Sequence, residues 1–228
     1  MKLVARYDYR EGVKIPKSGP AIVVSNHVSY MDAFALAFFL YSHGRTPRFL
    51  GKSQVFRVPI IGKILLAAEQ IPVERESKEA RVALQYALRL LEMGHLVGVY
   101  PEGTLTRDKD YWPMVAKTGA ARLAVISKVP VYPAVQWGTQ QVLPPYRKSL
   151  RIFPRATVRY RVGEPIDLSR WYGKEEDPAA MVEATAEIMR AITVLLEEIR
   201  GQQRPAAIFD PTTSDLPRTG NFRKGEKK

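Results

Sequence analysis

Short apolar runs that end in polar residues constrain the fold of this chain more than any other feature. Residues 21–24 are continuously apolar and lead into a polar block at 25–32, and residues 96–100 lead in the same way into a block at 101–104. Continuous apolar runs of this length are typical of strands that are buried on both faces of a parallel sheet. Segments with helical spacing lie between such runs, as at residues 77–93. The alternation predicts an α/β fold with a mostly parallel sheet flanked by helices.

The 228 residues are enough for one domain with a full hydrophobic core. We therefore assign residues 1–200 to a single domain. Residues 201–228 are rich in Pro, Thr, Gly, Arg and Lys without periodicity, and they are predicted to form a basic, disordered tail. The further predicted elements are an edge strand within 3–9, strands at 48–50, 70–73, 129–137 and 157–162, and helices at 33–41, 59–68, 117–127 and from Pro178 onward.

Composition excludes several kinds of site. The chain has no cysteine, so disulfides and thiol catalysis are excluded, and its three histidines (His27, His43 and His95) are too scattered to indicate a metal site. A net charge of +12 favours an anionic partner, which could be nucleic acid, a phospholipid surface or a phosphorylated substrate. A signal peptide and the roughly 18 apolar residues of a membrane span are both missing from the sequence. We expect a peripheral or monotopic protein on the cytoplasmic side of the cell membrane.

The polar block at 25–32 holds a candidate catalytic pair, His27 and Asp32. Positions five apart do not share a helix face, so we expect His27 before a helix and Asp32 in its first turn. In that bent geometry the carboxylate reaches the imidazole, fixes its tautomer and leaves the other ring nitrogen to take a proton from a substrate hydroxyl. The alternative is structural, because Ser29 and Asp32 also form a Ser-x-x-acid capping box.

Three further blocks follow predicted strands. They are Ile71-Pro72-Val73-Glu74-Arg75, Tyr100-Pro101-Glu102-Gly103-Thr104 and Val129-Pro130-Val131-Tyr132-Pro133-Ala134. Together with Asn26-His27 and Asp32, these blocks resemble in type and order the glycerolipid acyltransferase family, in particular the 1-acyl-sn-glycerol-3-phosphate (lysophosphatidic acid) acyltransferases. The resemblance covers residues 16–162.

The resemblance implies a glycerophosphate acyltransferase-like fold and a specific reaction. A fatty acyl group would move from acyl-CoA or acyl carrier protein to the free hydroxyl of 1-acylglycerol-3-phosphate, giving phosphatidic acid. In the family pattern, His27 is the general base and Asp32 orients it, and the block at 129–133 lies on the acyl-donor side. The thioester already carries an activated acyl group, so neither a metal nor a cofactor is expected.

The family pattern also implies a site for the phosphate of the acceptor, formed by Arg75 with the Glu102-Gly103-Thr104 block. An arginine fork suits a phosphate, and a glycine lets the backbone approach a ligand closely. Glu102 is expected to organise the loop, or to pair with Arg75 or with a substrate hydroxyl. Lys117, at the start of a predicted helix, is a further candidate phosphate contact. The structural alternatives are a surface pair of Glu74 with Arg75 and an ordinary turn at 101–104.

Two features depart from the family pattern. Leu105 stands directly after Glu-Gly-Thr, where the family usually has an Arg, and this makes Arg107 another candidate for the phosphate contact. The block at 71–75 lacks the glycine with which it normally begins.

The chain before His27 is shorter than in many members, so membrane attachment would rest on residues 33–68, where basic and bulky apolar residues mix without an acid. The alternative for this stretch is a pair of core helices with a solvated basic edge.

The sequence also allows functions other than acylation of 1-acylglycerol-3-phosphate. Close alternatives are acylation of glycerol 3-phosphate or of another lysolipid or glycolipid. A different class is a non-catalytic basic protein that binds nucleic acid or anionic membrane, for which Tyr160 between Arg159 and Arg161 is the only hint. We expect a lysophospholipid acceptor, an acyl thioester donor and an anionic membrane surface as partners, and no nucleic acid.

Overall fold

One sheet with helices on both faces organises the chain. The computed structural model describes residues 5–9, 12, 15–59, 61–67, 70–73, 77–147 and 149–216. The strands are β1 Arg6–Tyr9, β2 Ala21–Val24, β3 Pro47–Lys52, β4 Ile71–Val73, β5 Leu96–Val99, β6 Val131–Trp137 and β7 Thr157–Val162. The helices are α1 Asp32–Ser42, α2 Ser53–Phe56, α3 Ile61–Ala67, α4 Ser77–Glu92, α5 Gly119–Ser127, α6 Thr139–Val142 and α7 Pro178–Arg200, with a short 3-10 helix at Ser169–Trp171.

The strands follow the order β1-β7-β6-β2-β5-β3-β4 across the sheet. Neighbouring strands are parallel except β6 and β7, so the expected mostly parallel α/β fold is confirmed. Because β2 lies between β5 and β6, the carboxyl ends of three parallel strands meet at one edge of the sheet. The segments that follow them bring the block at 25–32, the block at 101–104 and residue 138 to that edge, where open α/β sheets bind ligands.

Strand β2 has a continuously apolar sequence because both of its faces are buried. Ile22 and Val24 belong to a core shared with α4, α5 and α7, whereas Ala21 and Val23 belong to a second core shared with α1. All four side chains are buried. Neither face of the strand meets water, so the polar alternation of a half-exposed strand is absent.

The helix boundaries follow their caps and neighbours. Helix α7 begins at Pro178 as predicted, because the Asp177 side chain accepts hydrogen bonds from the backbone N–H groups of Ala179 (2.9 Å) and Ala180 (3.3 Å). Helix α5 begins at Gly119 rather than at Lys117. The Lys117 N–H instead donates to the Pro101 carbonyl at 3.0 Å, which holds that residue to the loop after β5.

The acid-free stretch at 33–68 contributes to the core as well as to the surface. Leu36 in α1 and Phe49 in β3 are buried in the core that β2 shares with α1. Arg45 is also buried, and its guanidinium donates to the carbonyls of Pro16 and Gly19, both at 2.7 Å. The first half of this stretch therefore follows the core alternative, and Arg45 is a structural residue rather than a surface cation.

Tyr160 does not offer an exposed ring on a sheet face. Its side chain is fully buried, and its ring stacks on Phe39 with the centroids 4.8 Å apart. The hint of a nucleic-acid-binding protein that rested on Tyr160 is therefore wrong, because the ring fills the core between β7 and α1.

The segment after α7 packs against the domain over the part that the structure describes. Ile208 contacts the core beneath α7, and the Phe209 carbonyl accepts a hydrogen bond from the Val115 N–H at 2.8 Å. The segment that we expected to be disordered thus includes residues that pair with the chain near Met114. Among the described residues, no helix combines the length and the apolar character needed to cross a bilayer.

Candidate active site

A side-chain amide fixes the loop after β2 to the neighbouring strand. Asn26 is buried, its Oδ1 accepts from the backbone N–H of Gln136, and its Nδ2 donates to the Gln136 carbonyl, both at 3.0 Å. These two hydrogen bonds resemble those between paired backbone residues. They extend the contact of β2 with β6 beyond the last residue of β2. His27 therefore extends from a fixed backbone position.

His27 and Asp32 meet as the bent geometry requires. His27 lies before α1, Asp32 is the first residue of that helix, and His27 Nδ1 is 2.9 Å from Asp32 Oδ2. The same oxygen accepts from the backbone N–H groups of Val28 (2.6 Å) and Ser29 (2.8 Å). An ionised carboxylate only accepts hydrogen bonds, so Nδ1 carries the proton and Nε2 is left as the basic nitrogen. Asp32 thus both closes the turn before the helix and orients the imidazole.

Thr139 completes the surroundings of the buried carboxylate. Its hydroxyl donates to Asp32 Oδ1 at 2.6 Å, and both side chains are buried. Thr139 is the first residue of α6, which follows β6 through Gly138. Thr139 was not predictable from the sequence, because 107 positions separate it from Asp32 and no local pattern marks it.

Tyr100 forms one wall of the site. Its ring stacks on the His27 ring with centroids 4.4 Å apart, and its hydroxyl accepts from Gln136 Nε2 at 3.3 Å. Burial, together with the nearby Asp32 carboxylate, raises the pKa of Tyr100 well above its usual value, so the phenol stays neutral. Tyr100 therefore holds the imidazole plane without competing for its proton.

Glu102 holds the backbone of the loops around the site. The carboxyl is buried, Oε1 accepts from the His27 N–H and Oε2 accepts from the Met114 N–H, both at 3.1 Å. Burial raises the pKa of Glu102 to about 8, although the two backbone donors oppose the rise. Of the three roles expected for Glu102, these contacts are those of a loop organiser.

The rest of this block makes a turn that Lys117 covers. Gly103 has a φ of +66°, a conformation that favours glycine. The Lys117 side chain passes 3.5 Å from the position that a Cβ at Gly103 would take, so Lys117 lies beside the turn. Thr104 is half-buried next to it. The structure thus brings Glu102, Gly103, Thr104 and Lys117 to the same loop cluster as His27.

Leu105 and Arg107 follow this turn and have different neighbours. Leu105, where the family usually has an Arg, is buried, whereas Arg107 lies close to the tyrosines beside the site. Arg107 Nη1 donates to the Tyr146 hydroxyl. Burial raises the pKa of Tyr30, and the neighbouring Arg107 guanidinium offsets part of that rise. Arg107 itself is buried, and its bond to Tyr146 joins the loop after β5 to the segment after α6.

Two predicted contributors remain, Arg75 and the block at 129–134. Arg75 lies outside the described residues, so its part in a phosphate site stays a prediction. The block at 129–134 enters β6 in the middle of the sheet, where the Pro130 carbonyl accepts from the Ile22 N–H at 2.9 Å. Among the described residues, no group of three His, Cys, Asp or Glu side chains could hold a metal ion.

The chain matches the model of a known protein family. The model of the acyltransferase family matches residues 6–137, which include His27, Asp32 and the block at 101–104. The chain belongs to the acyltransferase family. The resemblance inferred from the sequence motifs is thereby confirmed.

Curated relatives in this family share moderate identity with the chain. The chloroplastic 1-acyl-sn-glycerol-3-phosphate acyltransferase BAT2 of Brassica napus is 31% identical over 159 residues, which cover 69% of this chain and 42% of that protein. The corresponding LPAT1 of Arabidopsis thaliana is 33% identical over 163 residues, covering 70% and 44%. The 1-acyl-sn-glycerol-3-phosphate acyltransferase of Bacillus subtilis is 26% identical over 199 residues, covering 83% and 92%. The chain thus spans less than half the length of the two plant relatives.

A solved structure shares the fold. The crystal structure of the 1-acyl-sn-glycerophosphate acyltransferase PlsC from Thermotoga maritima superposes with a TM-score of 0.67 at 22% identity, covering 89% of this chain and 76% of that one. This similarity supports the acyltransferase fold that the motifs implied.

Proposed function

We propose that the chain transfers a fatty acyl group from a thioester, acyl-CoA or acyl carrier protein, to the free hydroxyl of 1-acylglycerol-3-phosphate, giving phosphatidic acid. The observation that carries this proposal is the His27–Asp32 contact of 2.9 Å at the carboxyl edge of the sheet. The names of the relatives, all 1-acyl-sn-glycerol-3-phosphate acyltransferases, support the choice of acceptor.

The pair supplies a general base for a weak nucleophile. Nε2 of His27 takes the proton of the acceptor hydroxyl as its oxygen attacks the thioester carbonyl carbon, and the Asp32 carboxylate stabilises the imidazolium that forms. The tetrahedral intermediate then collapses: the C–S bond breaks, and the leaving thiolate takes the proton back from Nε2. The products are the new ester, the free thiol and the neutral imidazole. No covalent intermediate on the protein is required.

The loop after β5 offers a place for the phosphate of the acceptor. Lys117 is exposed beside the Gly103 turn, which supports a role for this residue as a cation near the phosphate. Because Glu102 is held largely protonated at neutral pH, it places little negative charge next to that phosphate. We assign Arg75 and Lys117 as direct phosphate contacts, Gly103 and Thr104 as the turn that the phosphate approaches, and Arg107 as the residue that orders the loop.

Acyl transfer by the purified chain tests this proposal. Labelled acyl-CoA and acyl carrier protein are each offered with 1-acylglycerol-3-phosphate, glycerol 3-phosphate, other lysolipids and a glycolipid acceptor. We expect the highest kcat/KM with 1-acylglycerol-3-phosphate. Preference for another acceptor would keep the mechanism and replace the substrate, whereas no transfer to any acceptor would contradict the proposal.

The His27→Ala variant tests the mechanism in the same assay. Loss of a general base typically lowers turnover by about a hundredfold to ten-thousandfold, and the thermal melt should stay near that of the wild type because the ring is partly exposed. Normal turnover by a folded His27→Ala protein would refute the role of His27. Lys117→Ala, Arg75→Ala and Arg107→Ala are compared alongside: the first two should raise the KM for the acceptor more than for the donor.

A further inference from the structure

The loop between α6 and β7, residues 143–156, exposes large apolar side chains in one short segment. Phe153 is 89% exposed, Ile152 58% and Leu150 51%. Single exposed apolar residues are ordinary on protein surfaces, but a contiguous group marks an interaction site. We call this segment the α6–β7 loop.

Cations surround these apolar residues. Arg147 and Arg151 are exposed in the loop itself. Beside it lies a groove of about 430 Å³ whose lining includes Arg151, Phe153, Arg155 and Arg159. Arg159 Nε also lies 3.6 Å from the carboxylate of Asp8 in β1. No acidic residue occurs in the sequence between Asp110 and Glu164, so the loop carries only positive charge.

The α6–β7 loop is tied to the candidate active site at its beginning. The Ser29 hydroxyl, three positions before Asp32, donates to the Leu143 carbonyl at 2.7 Å. The Tyr146 ring meets the exposed Tyr30 ring edge to face, with centroids 6.1 Å apart. A surface that engages this loop therefore lies next to the residues at the rim of the site.

We propose that the α6–β7 loop docks on the surface of an anionic lipid bilayer. Ile152 and Phe153 enter the boundary between head groups and acyl chains, and Arg147, Arg151 and the groove meet lipid phosphates. An apolar tip flanked by cations matches a bilayer surface better than a nucleic acid, which offers phosphate without an apolar layer. The inference rests on the proposed function in one respect, since docking here would place the site beside the layer in which a lysolipid acceptor resides.

Vesicle flotation of the full chain tests the docking surface. Phosphatidylcholine vesicles with and without phosphatidylglycerol are compared at low and high salt. Each cation near an anionic surface contributes about fivefold to binding, so Arg147→Gln with Arg151→Gln should lower partitioning about twenty-five-fold at low salt. Ile152→Ser with Phe153→Ser should lower it about tenfold or more, with the remaining binding more sensitive to salt.

Matched controls remove the same chemistry elsewhere on the surface. Met93→Ser with Val182→Ser removes two apolar side chains of similar exposure, 69% and 61%. Arg81→Gln with Lys174→Gln removes two exposed cations. Controls that bind as the wild type does, beside loop variants that bind weakly, support the proposal. Loop variants that bind as well as the wild type, or a wild type that ignores anionic vesicles at low salt, would overturn it.

Activity on a short-chain acceptor that stays monomeric in water separates this inference from the proposed function. The loop variants should transfer acyl groups to that acceptor at the wild-type rate and lose rate only on vesicle-bound acceptor. If the wild type binds anionic vesicles through the loop but acylates no acceptor, the docking surface stands and the proposed function fails. Equal loss on the monomeric acceptor would instead mean that the loop supports the site directly, and the docking assignment would fail.

Discussion

The buried Asp32 carboxylate accepts four hydrogen bonds. Two backbone N–H groups and the imidazole donate to Oδ2, and the Thr139 hydroxyl donates to Oδ1. A carboxylate has about four such acceptor positions, two on each oxygen, so Oδ2 shares three donors and Oδ1 depends on Thr139. Removal of one donor leaves a buried acceptor with an incomplete set of partners, a change that costs about 1–3 kcal/mol and frees the carboxylate to turn.

Thr139 is therefore predicted to be a positioning residue for the proposed catalytic pair of His27 and Asp32. Thr139→Val keeps the shape and removes the hydroxyl, and we expect kcat to fall about tenfold to a hundredfold with little change in either KM. Thr139→Ser should restore most of the activity, and the acidic limb of the kcat/KM pH profile should shift in the valine variant alone. Steady-state kinetics across pH decide the matter: equal activity of the two variants would make Thr139 a packing residue only.

Glu102 is predicted to make stability depend on pH. Burial raises its pKa in the folded protein to about 8 from the ordinary 4.5. Between these pH values the folded state keeps a proton that the unfolded state has released, so the free energy of unfolding should fall as pH rises through this window and level off above it. Denaturant melts of the wild type and of Glu102→Gln measure the slope, which should be shallower by one proton in the variant.

The control for this measurement is Glu92→Gln, which removes an exposed carboxylate at the end of α4. Its slope should match that of the wild type. The Glu102→Gln protein should also be less stable overall, because an amide accepts through one oxygen where two backbone N–H groups donate. An unchanged slope in Glu102→Gln would show that another group holds the proton.

Contacts between residues close together in the chain are more predictable from the sequence than contacts between distant residues. The five-residue spacing of His27 and Asp32 predicts their contact, because only a bend before the helix joins them. The contact of Thr139 with Asp32 was not predictable, since it depends on how β6 lies beside β2. Likewise, the polar block contains Asn26, but only the sheet order reveals that its amide pairs with Gln136.

At the level of elements, the path from β6 into α6 depends on Gly138. Its φ is +112°, and a Cβ at this position would lie 2.1 Å from the Thr157 carbonyl oxygen. The tight turn lets the chain leave β6 and place Thr139 against Asp32 while β7 returns beside it. Glycine is required here for conformation and for space.

Gly138→Ala is therefore predicted to destabilise the protein by more than backbone strain alone. The control is Gly173→Ala, where φ is +79° and, apart from its chain neighbours, no described residue has a heavy atom within 4 Å of the added methyl group. Strain at the control position should cost about 1–2 kcal/mol, and the overlap at Gly138 should add to it. Denaturant melts compare the two, and similar losses of stability would show that the β6–α6 turn relaxes without cost.

Sequence periodicity located the elements but not always their ends. The strands at 96–100 and 157–162 and the long helix from Pro178 agree with the structure, because apolar runs and a capping aspartate mark them locally. Helix α5 was predicted two residues too early, since the bond from Lys117 to Pro101 joins two distant loops. Membrane attachment through 33–68 stays a prediction. Within that stretch the burial of Arg45 was not predictable, because its partners come from another segment.

At the level of the whole molecule, the segment after α7 packs beside the loops of the candidate active site. The Arg200 guanidinium at the end of α7 lies between Trp112 and Trp137, 3.8 Å and 4.1 Å from the ring centroids. The following segment brings Phe209 beside Met114, whose N–H donates to Glu102. Residues beyond position 200 thus support the loop that carries Glu102.

Truncation tests this support. A chain that ends at Ala207 loses Ile208 and Phe209, and we expect a lower melting temperature and a loss of turnover, since the loop after β5 loses its backbone partner at Val115. A chain that ends at Leu216 keeps the contacts described here and serves as the control for shortening. Thermal melts and acyl-transfer rates are compared, and equal values for the two truncations would show that the segment is dispensable.

The backbone N–H groups of Val28 and Ser29 donate hydrogen bonds to the Asp32 carboxylate and not to a carbonyl of a helix or a strand. Their hydrogen exchange with deuterated water is therefore governed by how often that carboxylate turns away, which is a local opening and not global unfolding. Exchange at these two amides gives a readout of carboxylate orientation in the resting protein, without substrate or turnover. The Thr139→Val protein should exchange faster at Val28 and Ser29 while the amides of β2 keep their protection, so the alignment of the pair can be followed one amide at a time.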